Sequence, residues 1–238
     1  MLIDFHSHFL PQIDDGSRSI EESVGILDDM AKNGTELVAA TPHFYCSEQS
    51  IESFVRHRND AYERLKPHLK PEHPRIILGG EVLFDQALVN HEHLHDLCYE
   101  GTDYLLLEMP YVDLTDRIIN GVAEMADRGD VKLLIAHIER YLNFTSMKRL
   151  DQLMHLDVLG QINAKSMESF KSRSRCLKLI SKGYVQVLGS DYHRTDRGDL
   201  TVNKGYQMIG KKHPDFEAYA EDCGGKLLDN AQIWDILG

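Results

Sequence analysis

Seven short runs rich in Val, Ile and Leu recur along this chain, with helical patterns between them. They are Leu2–Phe5, Glu36–Ala40, Arg75–Leu78, Tyr104–Leu107, Lys132–Ala136, Gly160–Ile162 and Tyr184–Leu188. Apolar runs of this length without polar alternation are typical of strands buried on both faces. Strands that alternate with helices build a parallel sheet with crossover connections. A distorted, closed α/β barrel fits best, with an open doubly wound sheet as the alternative. Helices are expected over Ile51–Leu69, Thr115–Arg128, Met147–Leu156, Ser169–Lys182 and Leu200–Gly210, and in the tail at Phe216–Asp222 and Ala231–Leu237. Ser19–Glu22 reads as a capping box. It opens a helix with Ile20, Val24, Leu27 and Ala31 on one face and Gly34 as its stop.

No repeat or low-complexity linker divides the 238 residues, so residues 1–238 are read as a single domain. Lys and Arg number 26 against 38 Asp and Glu, a net charge of −12, which disfavours nucleic-acid binding. No apolar run is long enough for membrane insertion, and the first residues lack the basic and apolar regions of a signal peptide. The four cysteines are widely spaced without a Cys-x-x-Cys pair, as in a reduced, cytoplasmic protein. Six positions after each stand Glu52, Tyr104, Lys182 and Asp229, so a Cys-x5-Arg thiolate phosphatase loop is absent.

The residues with chemistry to offer stand just beyond the runs. The first run leads into His6 and His8, the second into His43, the third into Glu81 and the fourth into Glu108. The fifth ends at His137 and the last at Asp191 and His193. In a parallel barrel the C-terminal strand ends share one face, which carries the active site. Any one such His or Glu is ordinarily a loop residue or a helix cap. Six of seven strands showing the same pattern point to a metal centre. Imidazoles and carboxylates converging without thiolates suit Zn, Mn or Fe. Asp14-Asp15-Gly16 alone would be a turn, and gains weight from its place shortly after His8.

His91-Glu92-His93-Leu94-His95 matches the His-Glu-x-x-His pattern of zinc proteases. It lies in a short connection without an evident long helix or third ligand, so it is read as a chance match on a solvated face. Arg140, Arg194 and Arg197 come after the last His-bearing motifs and are candidates to bind an anionic oxygen such as phosphate. Gln161 and Asn163 are candidates to orient ligands through hydrogen bonds. Tyr45, Tyr111 and Tyr192 are candidates to line the entrance.

Taken together, Asp4-Phe5-His6-Ser7-His8, Thr41-Pro42-His43, Gly80-Glu81, Glu108, Ala136-His137 and Ser190-Asp191-Tyr192-His193 resemble the PHP (polymerase and histidinol phosphatase) superfamily of metal-dependent phosphoesterases. More narrowly, His8-Phe9-Leu10-Pro11 through Asp14-Asp15-Gly16 and Ala136-His137-Ile138-Glu139-Arg140-Tyr141 are similar to bacterial manganese-dependent protein-tyrosine phosphatases of capsule and exopolysaccharide loci. The resemblance runs from Leu2 to about Trp234. It implies a distorted (β/α)7 TIM-like barrel, the PHP fold, with three divalent ions per chain, Mn first and Fe or Zn as alternatives. One ion would take His6, His8, Glu81 and Asp191. A second would share Glu81 and add Glu108 and His137. The third would take Asp15, with Asp14 as the rival, plus His43 and His193. The catalytic arginines would be Arg140 and Arg197, with Arg194 as a rival to the latter.

The implied reaction is hydrolysis of phosphotyrosine by a hydroxide bridging the metals, with no thiolate required. The implied partner is the tyrosine-rich tail of a bacterial tyrosine autokinase in polysaccharide biosynthesis. A sibling activity on a small phosphomonoester such as histidinol phosphate would use the same centre. A catalytically silent, metal-stabilised regulatory protein is the alternative of another class, and the full ligand set speaks against it.

Overall fold

A computed structural model describes residues 1–238. All strand pairings are parallel. Strand β1 (Ile3–Ser7) pairs with β2 (Leu37–Ala40), which pairs with β4 (Arg75–Leu78). A six-stranded sheet then runs β3 (His43–Phe44), β5 (Glu81–Leu83), β6 (Tyr104–Glu108), β7 (Lys132–Ile135), β8 (Val158–Asn163) and β9 (Val187–Gly189). The two sheets are continuous through the chain. Thr41-Pro42 separates β2 from β3, and Gly79-Gly80 separates β4 from β5. Proline has no N–H to give to a ladder, and the paired glycines lack side chains to pack. At the break, Glu81 N donates to Pro42 O at 3.0 Å, so the direction of the strands is kept. The sheet curls until β9 meets β1, where Asp191 N donates to His6 O (2.7 Å) and His8 N to Tyr192 O (2.9 Å). The result is an α/β fold around a curled parallel sheet.

Both faces of the sheet are buried, which is why the runs read as continuously apolar. One face presents Ile3, Phe5, Leu37, Ala39, Tyr104, Leu106, Leu134 and Leu159 to α8 (Phe216–Leu228) and α9 (Ile233–Leu237). The alternate residues, among them Leu105, Leu107, Leu133 and Ile135, join the larger apolar cluster. That cluster takes in residues of α2 (Ile51–Leu65), α3 (Asp116–Asp127), α4 (Ile138–Tyr141), α5 (Met147–Met154), α6 (Phe170–Ser181) and α7 (Val202–Gly210).

Helix α1 (Ile20–Lys32) starts where the capping box places it, with Ser19 accepting from Glu22 N. The Glu22 carboxylate reaches Arg18 N rather than completing a reciprocal bond to Ser19. Its buried stripe is Ser23, Ile26, Leu27 and Met30, while Ile20, Val24 and Ala31 are only half-buried. Gly34 does end it, at φ 84°. Helix α2 stops at Leu65 instead of Leu69, because Pro67 turns the last residues into a 3-10 segment. No helix is long and apolar enough to cross a membrane.

Candidate metal centre

The parallel strands deliver their C-terminal ends to one place. His6 lies within β1 and His8 just beyond it, His43 opens β3, Glu81 opens β5, and Glu108 closes β6. His137 comes after β7, and Asp191 and His193 come after β9. Glu81 is the hub and is 1% exposed. Its Oε2 lies 3.2 Å from His6 Nε2, 3.3 Å from His8 Nε2 and 2.9 Å from His43 Nδ1. Its Oε1 lies 2.7 Å from His137 Nε2. Asp191 Oδ1 is 3.5 Å from His6 Nε2 and 3.3 Å from His8 Nε2. Glu108 Oε1 is 3.5 Å from His137 Nε2. On the outer side, Asp15 Oδ1 is 3.3 Å from His193 Nε2 and 3.5 Å from His43 Nε2. All nine residues expected as ligands are thus linked through short contacts.

The adjacent aspartates divide the work. Asp14 turns inward, where its Oδ2 meets His8 Nδ1 at 2.7 Å and accepts from His43 N at 3.1 Å. That contact fixes the His8 ring so that Nε2 faces Glu81 and Asp191. Asp15 turns the other way, towards His43 and His193. Gly16 permits this turn: a Cβ there would sit 2.1 Å from His8 O. Gly189 has the same duty behind His6, whose Cβ would lie 2.4 Å from an added methyl. Two of the expected ligands, His137 (φ 31°) and Asp191 (φ 54°), hold left-handed backbone conformations that L-residues rarely adopt.

Polar side chains beneath the cluster set its orientation. Gln161 Oε1 accepts from His137 N (2.8 Å) and lies 3.3 Å from His6 Nδ1. Its Nε2 donates to Asn163 Oδ1 (2.7 Å), and Asn163 Nδ2 donates to Asp191 Oδ2 (2.8 Å). Arg140 donates to the same Asp191 oxygen at 2.5 Å. Arg197 donates to Asp15 Oδ2 at 3.2 Å, whereas Arg194 faces Asp196. A cavity of about 350 Å³ beside the cluster is lined by Arg140, Lys165, Ser190, Asp191, His193, Arg197 and Asp199. Lys165 was not among the expected residues. Its position two residues beyond the β8 end, like the basic residues beyond the other strand ends, was the signal available.

The electrostatics call for cations. Burial pushes the Glu108 carboxyl up to about 7, and the neighbouring Glu81 charge pushes the same way. Burial also works against the Glu81 charge, but His6, His137 and His43 outweigh it and hold Glu81 well below the usual range. Burial and Arg140 lower His137 to about 4, leaving a neutral imidazole. Glu81 Oε2, His43 Nδ1 and His137 Nδ1 are buried without a hydrogen bond of good geometry. His6 Nε2 and His8 Nε2 approach each other at 3.1 Å. Buried imidazole nitrogens and carboxylate oxygens crowded together in this way fit divalent metal ions. Three groups have the spacing to hold one: His6, His8 and Glu81; His8, His43 and His193; and His43, Glu81 and Glu108.

The zinc-protease-like segment stays apart from this centre. Residues 91–95 form a turn running into a 3-10 segment, and His93 and His95 point to solvent, the latter 3.1 Å from Asp103.

Tyrosine-protein phosphatase CpsB of Streptococcus agalactiae serotype III is 23% identical over 97% of each chain. Tyrosine-protein phosphatase CpsB of Streptococcus pneumoniae is 27% identical, over 89% of this chain and 91% of its own. Tyrosine-protein phosphatase YwqE of Bacillus subtilis is 23% identical over 98% and 91%. The fold is shared with the crystal structures of YwqE from Bacillus subtilis and CpsB from Streptococcus pneumoniae, described as unique metal-dependent tyrosine phosphatases. That match has a TM-score of 0.82 at 20% identity over 97% and 96% of the two chains. The sequence profile for capsular polysaccharide synthesis proteins of the CpsB/CapC kind matches residues 2–229, and the chain belongs to that family.

Proposed function

We propose that this chain is a metal-dependent protein-tyrosine phosphatase, a single catalytic domain built as a distorted (β/α)7 barrel. The observation that carries the proposal is the buried Glu81 hub, whose two carboxylate oxygens are ringed by the imidazole nitrogens of His6, His8, His43 and His137. His6, His8, Glu81 and Asp191 would hold one divalent ion, with Glu81, Glu108 and His137 at a second and Asp15, His43 and His193 at a third. The donor set suits Mn, Fe or Zn, with Mn as our first assignment. Ions bound there would polarise a phosphoryl group and bring water to a nucleophilic state near neutral pH.

The chain's own groups do the rest. Arg140, tethered through Asp191, presents a planar guanidinium to phosphoryl oxygens at the cavity wall. Arg197 and Lys165 add positive charge to that cavity in a chain of net charge −12. Gln161 and Asn163 hold the ligands at fixed angles, so little reorganisation is needed during reaction. The substrate would be a phosphotyrosine protein of the capsule or exopolysaccharide machinery, and we assign the tyrosine-rich tail of a tyrosine autokinase. Four free thiols support a cytoplasmic location.

The test is kcat/KM of Mn-loaded protein on a phosphotyrosine peptide and on histidinol phosphate, with a chelated control. A chelator-sensitive preference for the peptide is expected. The reverse preference would move the protein to small-molecule metabolism. No turnover of either would favour a silent regulatory protein.

A further inference from the structure

Two aromatic rings stand at the lip of the candidate metal centre with open faces. Tyr111, three residues beyond β6, is 41% exposed, and Phe144, just past α4, is 47% exposed. Their ring centres are 5.4 Å apart. Single exposed aromatics are ordinary on protein surfaces, but contiguous apolar surface at the edge of a polar site marks a binding surface. Val112, also exposed, extends the patch.

The rings are joined to the centre and to each other. The Tyr111 ring lies 6.3 Å from that of His137 at an interplanar angle of 21°, with the charges of Glu108 and Arg140 nearby. The segments that carry the two rings are stitched together. Tyr141 Oη accepts from Met109 N at 2.9 Å. Thr145 Oγ1 accepts from Leu114 N at 3.3 Å and donates to Asp113 Oδ1 at 2.7 Å. A rigid pair of rings loses little freedom when a third ring joins it.

We propose that Tyr111 and Phe144 form the seat for the phenyl ring of an aryl phosphate, and that this seat sets a preference for aryl over alkyl phosphate esters. The inference rests on the phosphatase reading above and names the feature that would make it tyrosine-directed. The hub of the centre is buried, so a phosphoserine side chain would have to bring peptide backbone down to the ligands. A phosphotyrosine side chain reaches further and carries a flat apolar ring that Tyr111, beside His137, and its neighbour Phe144 would receive.

The test uses Mn-loaded, full-length protein and two non-hydrolysable ligands, benzylphosphonate and ethylphosphonate, with Kd read by calorimetry. Phe144→Ala should weaken benzylphosphonate by about three- to tenfold, the scale of one aromatic contact, and leave ethylphosphonate unchanged. On a phosphotyrosine peptide the same variant should raise KM with kcat preserved. Tyr111→Ala should weaken benzylphosphonate to a similar extent and likewise spare ethylphosphonate. Both side chains are exposed, and circular dichroism checks that each variant is folded. Equal weakening of both phosphonates, or of neither, overturns the seat. If wild type hydrolyses the phosphotyrosine peptide and the variants match it, the seat falls and the phosphatase reading stands. If wild type turns over no aryl phosphate, both fall together.

Discussion

The inner and outer halves of the ligand cluster differ in how much water they meet. His6, His8, Glu81 and His137 have side chains at most 1% exposed, whereas Asp15 on the outer side is 58% exposed. The inner ligands sit on or directly after strands whose backbones are fixed by ladder hydrogen bonds. Asp15 sits on a loop, and one of its oxygens is shared with Arg197. A buried carboxylate hub surrounded by imidazoles is costly unless cations complete it, while a solvated aspartate tolerates an empty site. On the proposed three-ion reading, the inner half would retain its ions and the outer half would exchange one.

Removing the hub should have the largest effect. Glu81→Gln is expected to cut turnover by about 10³-fold or more, the scale of deleting a preorganised charge from an active site. It should also lower bound metal by more than one ion per chain, measured by elemental analysis on protein that keeps its circular dichroism. His193→Ala should lose one ion and keep the rest. If it strips as much metal as Glu81→Gln, the two halves are not distinct. Stepwise chelation gives a third measure. The first ion to leave should barely move the thermal midpoint. Loss of the inner ions should lower stability by about 2.7 kcal/mol for each, relative to protein held at 100 times their Kd. The smallest effect is expected at the far side, where the double variant His91→Ala/His95→Ala should stay within about 0.5 kcal/mol of wild type and keep its activity.

The same contrast separates what the sequence made legible from what it hid. The inner ligands were readable because each ends an apolar run, and the seven runs lie where strands form. The two short strands β3 and β5 escaped notice. Thr41-Pro42 and Gly79-Gly80 look like strand ends, and nothing local shows that pairing resumes beyond them at His43 and Glu81. A buried guanidinium bridges the second break: Arg58 donates to Gly79 O at 3.0 Å, a contact set by a helix twenty residues upstream. The last strand starts at Val187 rather than Tyr184. The Tyr184 hydroxyl is instead drawn to Asp151, a partner far away in sequence. In the outer half, Asp14 and Asp15 are chemically identical neighbours. Only the fold shows that one orients His8 and the other faces His43 and His193. Likewise, Arg197 lies against Asp15 while Arg194 faces Asp196, a distinction that depends on loop conformation rather than residue type.

The left-handed backbone at His137 and Asp191 carries a consequence for any effort to make this protein more robust. Such conformations cost roughly 1–3 kcal/mol each in residues other than glycine. Glycine at 191 would release that strain and also remove a buried charge. In metal-free protein a library screened for heat resistance alone would weigh that relief against the lost Arg140 and Asn163 contacts, and any winner would be a well-folded chain without its expected ligand. Durability and chemistry are selected in opposite directions at these residues, so a useful screen must read turnover and melting in the same clone.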